Sequence, residues 1–166
     1  MTVNLTLGNG GNTVTLNGVD SLLGGTGADI VTMTAAVTNA TIDLGSGADK
    51  LTLAGAANSA TVSNVETLAG GSAADTITLG AAVTNASIDL GVGADTLTLA
   101  NGVNSATVSN VETLTGGTGA DTITLGSALT SSMSVDLGAG TNSLTLGAFA
   151  NTCTVTNVSS ILGVSG

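Results

Sequence analysis

Side chains able to ligate or transfer protons are scarce in this chain, so those that recur stand out. Eleven acids face a single base, Lys50, and there is no His, Tyr, Trp or Pro. The acids recur behind glycines. GGTGAD at 24–29, GGSAAD at 70–75 and GGTGAD at 116–121 are near-copies, and LGNGGN (7–12), LGSGAD (44–49), LGVGAD (90–95) and LGAGTN (137–142) are weaker ones. Each ends on an acid or amide: Asn12, Asp29, Asp49, Asp75, Asp95, Asp121 and Asn142. A recurring carboxylate in a chain with almost no basic residue is cation chemistry, because like charges brought close together need a counter-charge. Acid–base catalysis would need a pocket and carboxylates in unlike environments, and with no His or Tyr few proton carriers are available. The chain is therefore not expected to be an enzyme.

Composition narrows the partners further. A net charge of −10 repels nucleic acid and anionic membrane and attracts cations, so calcium is the expected partner and nucleic acid is not. Cys153 is single, which excludes an intramolecular disulfide and a Cys/His metal cage. It is expected to be a buried small residue. MTVNLTLGNGGN has neither a basic nor an apolar signal region, and no apolar run reaches membrane-spanning length. Membrane insertion is not expected, and an extracellular or cell-surface location implies export without an N-terminal signal peptide.

The elements that must position these acids follow from the period. Asp29, Asp75 and Asp121 fall 46 residues apart, and the text between them repeats almost letter for letter. Such fidelity marks stacked repeats. The units are 24–69, 70–115 and 116–162, preceded by a shortened 1–23 and followed by a tail, 163–166. After each corner residue the second and fourth positions are aliphatic, as in Val14 and Leu16, Val31 and Met33, Ile77 and Leu79, Ile123 and Leu125. Strict period two with β-branched neighbours predicts half-buried strand. A second strand, such as ATIDL or ATVSNV, precedes the next corner.

These features predict an all-β fold, a parallel β-solenoid of about seven coils and roughly 33 Å with a 46-residue double-coil repeat. Three outward columns are then expected. One is the run of corner residues, whose carboxylates at about 4.8 Å repel by roughly 1 kcal/mol even in water and so require a counter-charge. Turn geometry alone would admit Asn anywhere, yet Asn stands only at the two ends of this run. The second column is a structural amide ladder of Asn39, Asn58, Asn85, Asn104 and Asn151. The third is a Thr-x-Thr array, Thr13/Thr15, Thr76/Thr78, Thr96/Thr98 and Thr122/Thr124, interrupted by Ile30, Lys50 and Ser143. It resembles the ice-binding faces of β-helical antifreeze proteins, although strand preference alone also selects Thr. The remaining acids, Asp20, Glu66, Glu112, Asp43, Asp89 and Asp136, are expected to face water.

GGTGADIVT (24–32) and GGTGADTIT (116–124) fit the GGxGxDxUx nonapeptide, so the chain resembles the repeats-in-toxin, or haemolysin-type calcium-binding, β-solenoid family. The resemblance implies calcium held between successive windings by the Asp carboxylate and glycine carbonyls. Carried over, Gly24, Gly25, Gly27 and Asp29, and Gly116, Gly117, Gly119 and Asp121, are ligand-turn residues. The weaker corners add Gly45, Gly47 and Asp49, Gly70, Gly71 and Asp75, and Gly91, Gly93 and Asp95. Departures are plain: Ala73 replaces a glycine before Asp75, Leu44 and Leu90 replace glycines before Asp49 and Asp95, and the nonapeptides are not tandem. The functional expectation is a calcium-stabilised extracellular structural protein whose copies stack head to tail into filaments or a surface or matrix layer. The alternatives are a calcium-dependent adhesin and an ice-binding protein.

Overall fold

The computed structural model describes residues 3–163 and is built from strands and corners alone, with no helix among the described residues. The absence of helix follows from a chain rich in Gly, Thr, Asn and Val, each of which disfavours it. Eighteen strands divide between two sheets. The first sheet holds β1 (Asn4–Thr6), β3 (Ser21–Gly25), β5 (Ala40–Gly45), β7 (Ser59–Ser63), β9 (Thr76–Leu79), β11 (Thr96–Thr98), β13 (Thr113–Thr115), β15 (Ser134–Asp136) and β17 (Thr154–Thr156). The second holds β2 (Thr13–Leu16), β4 (Ile30–Met33), β6 (Lys50–Thr52), β8 (Thr67–Gly71), β10 (Ala86–Gly91), β12 (Ser105–Ser109), β14 (Thr122–Leu125), β16 (Ser143–Leu146) and β18 (Ser160–Gly163).

The chain visits the sheets alternately and every pairing is parallel, for example β9 with β11 and β12 with β14. Each winding therefore lays one strand on each sheet, which is a parallel β-solenoid. Nine strands per sheet are separated by eight steps, so the rod is about 38 Å long at about 4.8 Å per step. Of the expected tail only Gly163 lies within the described residues.

Aliphatic side chains point inward and stack in register. Val31, Leu51, Leu68 and Ile88 form one line in the second sheet, and Ile77, Leu97, Leu114 and Val135 form one in the first; all eight are buried. Each buried aliphatic contributes about 1.5–3 kcal/mol, and the lines make one continuous core. Cys153 is half-buried against it, and burial raises its thiol pKa.

One expectation needs correction. The 46-residue repeat is not two coils but five strands, hence two and a half windings. β4 to β8 make up one repeat and β9 to β13 the next. Because five is odd, each repeat begins on the sheet opposite to the one before. Asp29 and Asp49 precede strands of the second sheet, Asp75 and Asp95 precede strands of the first, and Asp121 returns to the second. The missed strand is the one in TLAGG (β8) and TLTGG (β13). The expected single columns of corner acids, amides and threonines are each divided between two faces for this reason.

Candidate cation-binding corners

Where the chain enters a strand, the N–H of the preceding residue meets a side chain of the next winding instead of a main-chain carbonyl. Leaving such a buried donor unpaired would cost about 1–3 kcal/mol. Three side-chain ladders meet this need. On one flank the Asn12 N–H donates to Asp29 Oδ1 (2.8 Å), the Asp29 N–H to Asp49 Oδ1 (2.7 Å) and the Asp49 N–H to Glu66 Oε2 (2.7 Å). On the opposite flank the Asn58 N–H donates to Asp75 Oδ1 (2.8 Å), the Asp75 N–H to Asp95 Oδ1 (2.7 Å) and the Asp95 N–H to Glu112 Oε2 (2.7 Å). Back on the first flank the Asn104 N–H donates to Asp121 Oδ1 (2.9 Å) and the Asp121 N–H to Asn142 Oδ1 (2.9 Å).

The ladders bring together the predicted acids in pairs, Asp29 with Asp49 and Asp75 with Asp95. They do not bring together Asp49 with Asp75 or Asp95 with Asp121, which precede strands of different sheets. Glu66 and Glu112, expected to face water, are half-buried rungs. Their spacing could have found them, since Glu66 follows Asp49 by the same 17 residues that separate Asn12 from Asp29. The expected amide column also divides. Asn58 and Asn104 are buried rungs, whereas Asn39 and Asn85 are exposed residues with φ of 53° and 55°. Asn151 caps a separate corner by accepting from the Leu129 N–H. Asp43, Asp89 and Asp136 are outward, as expected, and accept from Asn64, Asn110 and Asn157 of the following winding. For Asp136 the Asn157 amide and then the Gly138 N–H hold the carboxyl below its usual pKa.

The glycines have a steric reason. Gly45 and Gly91 adopt φ of 86° and 87°, and a Cβ on either would run into the carbonyl oxygen of the stacked corner, Gly25 or Gly71. At Gly24, Gly25, Gly27, Gly47, Gly70, Gly71, Gly93, Gly116, Gly117 and Gly119 a Cβ would likewise meet an atom inside van der Waals contact. Corner glycines thus permit winding to lie directly on winding, with or without an ion.

The carboxylates have no equally complete account. Asp29, Asp49, Asp75, Asp95 and Asp121 are each at most 1% exposed. One oxygen of each serves the ladder, but the Oδ2 atoms of Asp29, Asp49, Asp95 and Asp121 are buried without a hydrogen-bond partner. Asp75 Oδ2 has only a long bond from the Gly71 N–H (3.2 Å). Burial raises the carboxyls of Asp49 and Asp95 above their usual pKa; the N–H groups of Asp29 and Asp75 oppose this, and the neighbouring acids Glu66 and Asp29, or Asp75 and Glu112, add to it. For Asp29 burial acts in the same upward sense, but the Asn12 amide and the Asn12 N–H, both on Oδ1, lead the opposing causes and the net shift is downward.

Asn142 stands at the corner position that Asp49 and Asp95 hold in their own windings. It closes LGAGTN, a corner of the same length and form as LGSGAD before Asp49 and LGVGAD before Asp95. Its Oδ1 does the work of an Asp Oδ1, while its Nδ2 donates to the carbonyls of Leu137 (3.1 Å), Gly138 (3.2 Å) and Asn157 (2.9 Å). Three carbonyls converge where the amide presents a donor. At Asp49 and Asp95 the Oδ2 atom has neither a donor of its own nor one supplied to it. Carboxylate plus main-chain carbonyls is the donor set of a hard cation. Among the described residues no three or more His, Cys, Asp or Glu side chains converge, so carbonyls would have to supply most of any coordination sphere.

Comparison with protein-family models, with curated proteins and with solved structures returns no match for this chain.

Proposed function

We propose that this chain is a non-catalytic structural β-solenoid of the cell exterior, stabilised by calcium at its acidic corners. The observation that supports the reading most is the pair of orphaned oxygens on Asp49 and Asp95, seen beside the satisfied amide of Asn142. In this reading Ca2+ takes the place of the Asn142 Nδ2, held at Asp49 with the carbonyls of Leu44, Gly45 and Asn64 and at Asp95 with those of Leu90, Gly91 and Asn110. Asp29 and Asp75, one rung away in each ladder, share its charge. The ion offsets two stacked negative charges that otherwise repel in a desolvated corner. Millimolar calcium is available outside cells, and the likeness of GGTGAD to calcium-binding nonapeptides agrees with that location.

Assembly completes the proposal. The same parallel main-chain bonds and the same side-chain rungs join each winding to the next, so a winding of one copy is compatible with a winding of another. End-to-end stacking into filaments or a layer follows, a heterologous contact that does not close.

Thermal unfolding of the full chain with millimolar Ca2+ and with chelator tests the central part. A ligand at about 100 times its Kd adds about 2.7 kcal/mol, so the melting temperature is expected to rise by several degrees or more in calcium. A melting temperature indifferent to calcium and chelator overturns the reading. Electron microscopy of the calcium-loaded protein tests assembly separately, with filaments expected and dispersed single rods contradicting it.

A further inference from the structure

Over the first four windings, one outward column on each sheet breaks the run of hydroxyls, and the two columns break it in step. On the first sheet Thr6, Leu23, Asp43 and Ser63 lie in register on β1, β3, β5 and β7. On the second sheet Thr13, Ile30, Lys50 and Thr67 lie in register on β2, β4, β6 and β8. β1 and β2 belong to one winding, β3 and β4 to the next, and so upward. Level by level, then, hydroxyl matches hydroxyl, aliphatic matches aliphatic, acid matches base and hydroxyl matches hydroxyl. Leu23 and Ile30 point outward and are 48% and 46% exposed, beside Leu22 and Val31 at 1% and 0%. Lys50 is exposed, and its neighbours in register, Ile30 and Thr67, carry no charge to pair with it. The single base of the chain thus meets no acid in its own column, and the acid of its own level, Asp43, stands on the opposite face.

We propose that these faces form a lateral contact between copies of the chain, the first sheet of one rod lying on the second sheet of a neighbour that points the same way. Leu23 of one copy then covers Ile30 of the next, and Asp43 meets Lys50. Both columns run along the axis, so a neighbour at the same height brings them together by sliding across the strands alone. The other outward strand acids do not oppose this contact. The winding of Asp89 presents Thr76 and Thr78 on its first sheet, and that of Asp136 presents Ser143 and Thr145 on its second. Placing first sheet on first sheet would leave Lys50 without an acid. Because the contact uses a different face on each copy it does not close, and repetition extends it rod by rod. A face about 38 Å tall and about 13 Å wide offers roughly 500 Å2 per copy, about 1,000 Å2 per contact, which is the lower end for a specific interface. One pair of rods therefore associates weakly, and its surface ion pair fixes the level more than it adds affinity. Rods joined end to end multiply the contact. The inference deepens the assembly reading above by naming the surface that turns filaments into a layer, but the contact itself needs neither calcium nor the end-to-end joint.

Zero-length carbodiimide cross-linking of an equal mixture of isotope-labelled and unlabelled full chain, read by peptide mass spectrometry, tests the contact. An isotopically mixed product joining Lys50 to Asp43 is expected. Asp43→Asn should cut its yield at least tenfold, and the charge exchange Asp43→Lys with Lys50→Asp should restore a link between the same two positions. Leu23→Glu leaves both reacting groups in place and should still lower the yield at least fivefold. All three positions are outward, and circular dichroism of each variant checks that the solenoid is intact. Electron microscopy of the same samples separates this inference from the end-to-end reading. A mixed Lys50–Asp43 link between rods that do not stack end to end upholds the lateral contact while that reading fails. Filaments that lie singly and yield no such link overturn the lateral contact and leave the end-to-end joint standing. Links from Lys50 to other acids in place of Asp43 also overturn it.

Discussion

The ladder of Asn58, Asp75, Asp95 and Glu112 and the ladder of Asn104, Asp121 and Asn142 do the same mechanical work with different electrostatics. Both pass an N–H from one winding to a side-chain oxygen of the next at 2.7–2.9 Å. The amide rung completes its bonding internally, with three carbonyls taking up its NH2 group. The carboxylate rung leaves an oxygen unpartnered. Holding the windings together thus requires only an acceptor. The charge on that acceptor is a separate feature, and it is the one that admits a cation.

The largest effect is expected from breaking the corner itself. Gly91→Ala places a Cβ in left-handed backbone, which costs about 1–2 kcal/mol, and drives it into the Gly71 carbonyl as well. The variant should lose at least about 2 kcal/mol with or without calcium in denaturant unfolding. Asp95→Asn sharpens the contrast, because it makes the second ladder resemble the third. In chelator it should be as stable as the parent or up to about 1 kcal/mol more stable, whereas in calcium it should fall below the parent; urea midpoints in the two buffers read the change of sign. The reverse exchange, Asn142→Asp, should lower stability in chelator by about 1–3 kcal/mol and add one calcium to the stoichiometry found by titration calorimetry.

Acidity gives the smallest predicted effect. Asp49 and Asp95 have folded pKa values above their unfolded ones, so the folded chain takes up protons first as pH falls toward the carboxylate range. In chelator the stability contributed by these two groups rises on acidification through that window and is lost as pH rises above it. Asp29 and Asp136 are shifted downward and act in the opposite sense, their contributions being lost as pH falls below the usual carboxylate range. Melting curves in chelator should therefore show a shallow stability maximum on the acid side of neutrality, and a steady decline from neutral pH downward would contradict it.

The strand-forming alternation, the burial of Ile77, Leu97 and Ile123 and the stacking of Asp75 on Asp95 were all legible in the sequence, because period two and a long repeat survive any change of winding. The number of windings per repeat was not. TLAGG and TLT each offer one inward aliphatic residue, Leu68 or Leu114, too short a stretch to show alternation, and their glycines resemble a corner more than a strand. Four strands per repeat would make the winding number whole and place every corner on one flank; five do not. Glu66 and Glu112 look solvent-facing in the sequence for the same cause, since a rung is recognised by its height in the stack and not by its chemistry. The spacing of 26 residues between Asp49 and Asp75 contained the correction: it is a winding of 17 residues to Glu66 and a further half winding.

The two-and-a-half-winding repeat is tested most directly by NMR scalar couplings across hydrogen bonds in the labelled protein. The account predicts couplings from the Asp29 amide nitrogen to the Asp49 carboxyl carbon and from the Asp75 amide nitrogen to the Asp95 carboxyl carbon, matching the 2.7 Å contacts. It predicts a coupling from Asp49 to Glu66 and none from Asp49 to Asp75. A coupling between Asp49 and Asp75 would put successive repeats on one flank and contradict the account.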